Sequence, residues 1–318
     1  MTGIAAKDDF VRTFRLDAAG VRGRQVRLGS ALNTVLEQHD YPDPVSRLLG
    51  ELIALSALLA STIKYDGVFT VQTRGDGPLG MMVADVTSAG ALRGYADFHA
   101  DILRAALAGG EEGSVPRLLG AGHLAFTVDQ GPDTERYQGI VALEGMSLSE
   151  CAHNYFRQSE QIATAIQLTA EWVAGVWRAG ALMLQHEPSG GGYDRPLGRD
   201  ALPDTPGAGL EDQEANEDWR RAVILMSSVS PTELLDPTLG SDDLLFRLFH
   251  EESVRVHAPR PLAFGCRCSP ARVKSTLKAL PRDEIKALNI DGRVVVTCQF
   301  CNKSESFGDI DLDAIYAA

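Results

Sequence analysis

Apolar residues along the first half of the chain recur at two different periods, and each period predicts its own kind of element. After Asp43-Pro44, read as an N-cap with proline at the first helical position, Val45, Leu48, Leu49, Leu52, Ile53 and Leu59 fall at helical spacing as far as Lys64. So few polar residues interrupt this stretch that the helix is expected to be buried. The pattern then turns β-rich at Val68 to Thr73, Met81 to Val86 and Leu92 to Tyr95, with turns at Gly75-Asp-Gly-Pro78 and Ser88-Ala-Gly90. Turns this short favour antiparallel neighbours. A further hairpin is expected from His123 to Val128 and Tyr137 to Leu143 around Gly131-Pro-Asp133. Ser147 and Glu150 then predict a capping box for a helix to about Gln158, and strand-like runs come next at Ile162 to Leu168 and Val173 to Leu184. The reading is α+β, with antiparallel hairpins around long helices.

The pattern breaks near residue 188. Pro188, Gly190 to Gly192, Pro196, Pro203, Pro206, Gly207 and Gly209 crowd a stretch that reads as a linker. Beyond it Glu211 to Ser228 has an acidic first half and an apolar second half around Trp219, Val223 and Met226. Ser230-Pro231-Thr-Glu233 starts a second helix by cap, proline and capping box. Ser241 starts a third, which crowds Leu244, Leu245, Phe246, Leu248 and Phe249 into six residues. Short helices cannot bury that much apolar surface among themselves, so they are expected to dock on the first domain or on the C-terminal unit. Three units are expected: 1–188 as an α+β core, 189–255 as an acidic, partly helical linker, and 256–318 as a small C-terminal domain.

Charge obeys the same division. The chain carries −13, but residues 1–185 have 15 basic and 21 acidic groups, 186–255 have 6 and 15, and 256–318 have 9 and 7. The middle is an acidic belt, and no unit offers the strongly basic face that nucleic acid requires. Met1 to Phe10 lacks a basic segment followed by an apolar run, and Leu52 to Ala60 is far short of a membrane span. A cytoplasmic protein with no membrane partner is expected.

The last unit carries the chemistry. Cys266-Arg-Cys268 and Cys298-Gln-Phe-Cys301 are two tight pairs separated by 29 residues. Such pairs on separate turns predict a Cys₄ zinc site, one ion per chain, because each knuckle of backbone supplies two thiolates. A disulfide framework fits less well, since Cys151 is left over and no signal peptide is read. Cys-X-Cys is tighter than the usual spacing of structural zinc ligands. A unit of about 60 residues draws only ~3 to 5 kcal/mol from its core, against ~10 to 16 kcal/mol from a structural zinc. The metal therefore dominates this fold. Bound thiolates are also the species oxidants attack, and a disulfide between neighbours in sequence would close a tiny loop without tying the knuckles together. A permanent structural zinc and an oxidation-sensitive clamp both fit these residues.

Other motifs fail on geometry. Gly75-Asp-Gly-Pro-Leu-Gly80 matches a dinucleotide-binding pattern, but Pro78 and the strand after it leave no helix to face a pyrophosphate. No phosphate-binding loop for ATP is present in the sequence. His250-Glu-Glu lacks a second histidine four residues on. Cys151 and His153 face apart on a helix, and Asp97, His99 and Asp101 read as a solvated helix start.

Phe264-Gly-Cys266-Arg-Cys268-Ser and Cys298-Gln-Phe-Cys301-Asn resemble the C-terminal pattern of the heat shock protein 33 family. Lys64-Tyr-Asp-Gly67, Val71-Gln72-Thr-Arg-Gly75-Asp-Gly77-Pro78, Arg93-Gly94-Tyr95 and Tyr155-Phe156-Arg-Gln158-Ser159-Glu160-Gln161 resemble its N-terminal signatures, so the likeness covers nearly the whole chain. The resemblance implies an ATP-independent holdase and not an enzyme. It implies that oxidation pairs neighbouring cysteines, releases zinc, unfolds the module and destabilises the linker. It also implies dimerisation of the oxidised form and binding of unfolding client proteins. On that basis Trp219, Met226, Leu244, Leu245, Phe246, Leu248 and Phe249 are candidate client contacts. One position departs from the family: an aromatic residue is usual four places after the last cysteine, where Glu305 stands, two residues before Phe307. The competing readings are a zinc-ribbon protein that binds nucleic acid through a purely structural zinc, and a thiol oxidoreductase using Cys298 and Cys301.

Overall fold

A computed structural model describes residues 8–108, 113–131, 134, 136–186 and 210–317. β1 (Phe10–Leu16) and β2 (Val21–Leu28) form a hairpin, and α1 (Ser30–Leu36) and α2 (Asp43–Ala60) come after it. α2 is the predicted buried helix. Its N-cap is Pro42, one residue earlier than expected, and Asp43 sits in the first turn, where its charge complements the dipole. The helix stops at Ala60 rather than Lys64 because the Ser61 and Thr62 hydroxyls donate back to the Leu58 and Leu59 carbonyls, at 2.6 and 2.7 Å.

The predicted meander is β3 (Val68–Gly75), β4 (Leu79–Thr87) and β5 (Ala91–Phe98). The glycines at 75–80 form the β3–β4 turn, as Pro78 requires. α3 (Ala100–Leu107) and α4 (Val115–Leu118) lead to the hairpin of β6 (Gly122–Asp129) and β7 (Tyr137–Ala142); Pro132 and Asp133 of its turn lie outside the described residues. α5 (Leu148–Tyr155) has half of the expected capping box. Ser147 Oγ accepts from the Glu150 amide, while the Glu150 carboxylate accepts from Met146 N at 2.8 Å. Past Tyr155 the helix widens to a π-turn over Phe156–Glu160 and ends at Gln161 with φ 54°. β8 (Thr164–Val173) and β9 (Val176–His186) then form a hairpin whose two turn residues, Ala174 and Gly175, both have positive φ. That is the two-residue turn whose twist matches the strands. The sequence pattern misses it by running one strand through the turn.

The linker tract from 187 to 209 lies outside the described residues. Beyond it come α6 (Leu210–Ser227), α7 (Pro231–Leu235) and α8 (Ser241–Phe249), and α7 has the complete Ser230/Glu233 capping box. The short strands β10 (Val254–Val256), β11 (Arg260–Pro261) and β12 (Ala263–Phe264) lead into the C-terminal elements. Those are α9 (Pro270–Lys278), α10 (Arg282–Ala287), β13 (Arg293–Thr297), β14 (Ser304–Gly308) and α11 (Asp309–Ala317).

Two six-stranded sheets enclose α2. One has the order β10-β1-β2-β9-β8, with β11 also on β1; the other is β12-β5-β4-β3-β6-β7, antiparallel except for β12 beside β5. Nearly every α2 residue from Val45 to Ala60 is buried between them, which is why this helix is apolar all round. The outer face of the first sheet is apolar too, with Phe14, Leu16, Val21, Leu182 and Leu184, and the three middle helices cover it. They dock on the first domain through Ala222, Met226, Leu234, Leu244, Leu245, Leu248 and Phe249, with Phe249 stacked on Phe14 at 5.7 Å. Residues Val254 to Phe264 stitch the edges of both sheets before the chain enters the C-terminal module. Among the described residues that module has a small core cluster of Leu277, Ile285, Val294, Phe307, Leu312 and Ile315.

Candidate metal centre

Cys266 lies just past β12, where its neighbour Gly265 donates its amide to the Leu92 carbonyl at 2.9 Å. Cys268 precedes Ser269, which caps α9 by accepting from the Arg272 amide. The second pair lies in the β13–β14 turn. There Cys298 N donates to Lys303 O at 2.9 Å, Asn302 N donates to Cys298 O at 2.8 Å, and Asn302 takes φ 53°. Phe307 on β14 anchors this hairpin in the module core, and Glu305, two residues earlier, is half-buried.

These two turns bring all four Sγ atoms within 4.8 Å of one another. Cys266 and Cys298 approach to 3.7 Å, and Cys268 and Cys301 to 3.3 Å. Four sulfurs each ~2.3 Å from one zinc ion stand about 3.8 Å apart at the corners of a tetrahedron, so the array fits the ion closely. Burial opposes ionisation of Cys266, yet hydrogen bonds from the Cys268 backbone, the Cys268 and Cys301 thiols and Arg93 outweigh it and bring its pKa down to about 6. The hydrogen bond with Cys301 pushes Cys268 up to about 12, and burial raises Cys301. Thiols this close titrate as a set, and a cation in their midst would favour the thiolate form of all of them. A site closed by four thiolates leaves no open position for substrate, so its chemistry is structural or redox.

The site leans on the first domain. Arg93 of β5 approaches Cys266 Sγ at 3.8 Å and lies over the Phe300 ring at 3.7 Å. Arg267 donates to Asp85 at 2.6 Å, Asn302 Nδ2 donates to Gln38 O at 3.2 Å, and His39 Nε2 meets Gln299 O at 2.6 Å. Sequence reasoning finds the four cysteines and misses this shell, because its members stand more than 170 residues from the knuckles they touch.

The other candidates lie away from the cluster. Cys151 is fully buried, donates to the Glu144 carbonyl, and has its thiol pushed up to about 11 by burial, while His153 faces solvent. His99 is the N-cap of α3, and Asp101 pairs with exposed Arg104. Of the client-contact candidates, Met226, Leu244, Leu245, Leu248 and Phe249 are buried on the first sheet, Trp219 is half-buried beside His186, and Phe246 is 64% exposed. Among the described residues no helix is long and apolar enough to cross a membrane.

Comparison with known proteins agrees with the geometry. The family described as Hsp33 protein matches residues 9–308. The 33 kDa chaperonin of Caulobacter vibrioides is 37% identical over 301 residues, 93% of each chain. That of Ectopseudomonas mendocina is 36% identical over 312 residues, 98% of this chain and 96% of its own. The crystal structure of the 33 kDa chaperonin (heat shock protein 33 homolog) of Thermotoga maritima has the same fold, with a TM-score of 0.74 over 97% of this chain and 98% of that one at 20% identity. With its thiol cluster, its paired sheets and a match that spans nearly all of its length, this chain belongs to the Hsp33 family.

Proposed function

We propose that the chain is an ATP-independent holdase chaperone, not an enzyme, whose activity is switched on by oxidation of Cys266, Cys268, Cys298 and Cys301. The observation that carries this reading is the closed four-thiol cluster in a chain of this family. Bound zinc supplies one clamp between two knuckles that the small module core cannot hold alone.

The chemistry resides in the sulfurs. A thiolate attacks hydrogen peroxide and takes up one oxygen as the O–O bond breaks; the departing hydroxide gains a proton and leaves as water, giving a sulfenic acid. A neighbouring thiol displaces the hydroxyl group from that sulfur, forming the S–S bond and a second water. A knuckle in disulfide form no longer ligates, so the module loses its long-range tie. Units 1–188, 189–255 and 256–318 then act in turn as client-binding core, cover and sensor. The apolar faces of α6 and α8, with Trp219, Met226, Leu244, Leu245, Phe246, Leu248 and Phe249, and the sheet beneath them become available to unfolding clients. A homodimer of the oxidised form in the cytoplasm, with no nucleic acid or membrane partner, completes the reading.

The test is light scattering of a heat-unfolded client, with a chromophoric chelator tracking zinc. Protection confined to peroxide-treated protein, in step with loss of about one zinc per chain, is expected. Zinc that stays bound, or leaves with no protection gained, overturns the switch.

A further inference from the structure

Each cysteine knuckle encloses residues that do not ligate, and these turn outward to the first domain. Arg267, between Cys266 and Cys268, donates to Asp85 Oδ2 at 2.6 Å. Phe300, between Cys298 and Cys301, lies beneath the guanidinium of Arg93 at 3.7 Å and edge-on to Tyr95 at 6.4 Å. Asp85 and Arg93 are themselves partners. They are directly opposite in the β4–β5 register, and Arg93 Nε and Nη2 donate to Asp85 Oδ2 at 2.7 and 2.6 Å. Thr70 Oγ1 donates to the other Asp85 oxygen at 2.6 Å, and Asp85 is 4% exposed. One ion pair on the sheet thus grips Arg267 of the first knuckle through its acid, and through its base both Phe300 of the second knuckle and Cys266 Sγ of the first.

We infer that the Asp85–Arg93 pair is a docking post for both knuckles, and that it sets how firmly the four thiols keep their metal. The physical reason is loop closure. Metal binding must bring together two turns separated by 29 residues, and that entropy is charged against affinity. A sheet that already holds both turns at ligating distance removes much of that cost, so the ion is retained longer. By reciprocity, loss of the metal weakens the docking of both knuckles on β4 and β5. Asp85, Arg93, Arg267 and Phe300 are positioning residues here, with no contact to the ion. The inference rests on the metal reading of the cluster and not on the chaperone reading.

The test uses the reduced, zinc-loaded full chain and measures transfer of zinc to a chromophoric chelator without oxidant. Arg267→Gln and Phe300→Leu each remove one grip and leave the sheet pair intact. Each is expected to speed release by about 3- to 10-fold, the worth of one charge-assisted or cation–π contact. Arg267→Lys keeps a cation beside Asp85 and should release at nearly the wild-type rate. Asp85→Asn should speed release at least as much as Arg267→Gln, and adding Arg267→Gln to it should change little, since both act through the same contact. Release at wild-type rates in both single variants overturns the post. So does an Arg267→Gln effect that persists undiminished in the Asp85→Asn background. A wild-type chain that takes up no zinc overturns the metal reading and the post with it.

Discussion

Arg27 shows what a single buried charge does for this molecule. It stands on β2 with 2% of its surface exposed, yet it is fully engaged: Nη1 donates to Leu239 O at 2.7 Å, Nη2 to Asp236 O, and Nε pairs with Asp8 at 3.2 Å. The two carbonyls belong to the loop between α7 and α8, so this side chain ties the middle helices to the sheet. Arg27→Met should cost about 3 kcal/mol or more in urea denaturation, because two carbonyls lose their partner at once and Asp8 loses one of its two arginines, Arg178 being the other. Faster hydrogen exchange in the α7–α8 loop should accompany it. Glu51 on α2 makes the opposite argument. Burial first, and then the charge of Glu171, raise its pKa to about 7 against the pull of Arg47. Its folded pKa lies above the unfolded value, so its stabilising effect is full below about pH 4.5 and is lost as pH rises through 7. Above that range the folded chain holds an ionised carboxylate it disfavours. Glu51→Gln should therefore gain roughly 1 to 2 kcal/mol at pH 8 and flatten the stability profile between pH 4.5 and 7.

At the scale of elements, α8 would separate, under the proposed function, docking on the sheet from client contact, two roles that the sequence alone merges. Phe249 is buried against Phe14, whereas Phe246, one turn back, is exposed and touches only His250 among the aromatic rings of the described residues. Phe249→Ser should cost about 3 kcal/mol or more through the cavity and the buried hydroxyl it leaves. It should also undock α8 and give partial client protection in reduced protein. Phe246→Ser should leave melting unchanged within about 0.5 kcal/mol and reduce client holding after oxidation. Protection that responds equally to both substitutions would show that docking and client contact are one function. The helical period at 43–60, the alternation in β3 to β7 and the cap at Ser230 are all legible because they are local facts of spacing. The β8–β9 turn is not, since Ala174 gives no sign of its positive φ and apolar residues run through it. Nor are β10 to β12, whose two- and three-residue pairings are set by strands some 170 to 250 residues away.

For the whole molecule, the proposed switch turns on which sulfurs would pair if a bound metal left. In the folded array two close approaches run across the knuckles, Cys266 to Cys298 at 3.7 Å and Cys268 to Cys301 at 3.3 Å. Oxidation in place would join the two turns covalently and keep the module closed. Pairing within each knuckle does the reverse, and the competition is decided by the contacts that survive loss of the clamp. Once one thiol is oxidised, the cross-knuckle partner is held by the small module core, the Gly265–Leu92 bond and the docking contacts to Asp85, Arg93, Gln38 and His39. The partner in its own knuckle stays two or three positions along the chain whatever the module does, so its effective concentration persists as the structure loosens. Proteolysis and mass spectrometry of peroxide-treated protein should therefore find Cys266–Cys268 and Cys298–Cys301, with the C-terminal module newly open to protease. Oxidation under conditions that keep the module docked, such as low temperature, should raise the cross-knuckle share and lower protection in proportion. Cross-knuckle bonds in protein that nevertheless holds clients would mean that activation does not pass through unfolding of this module.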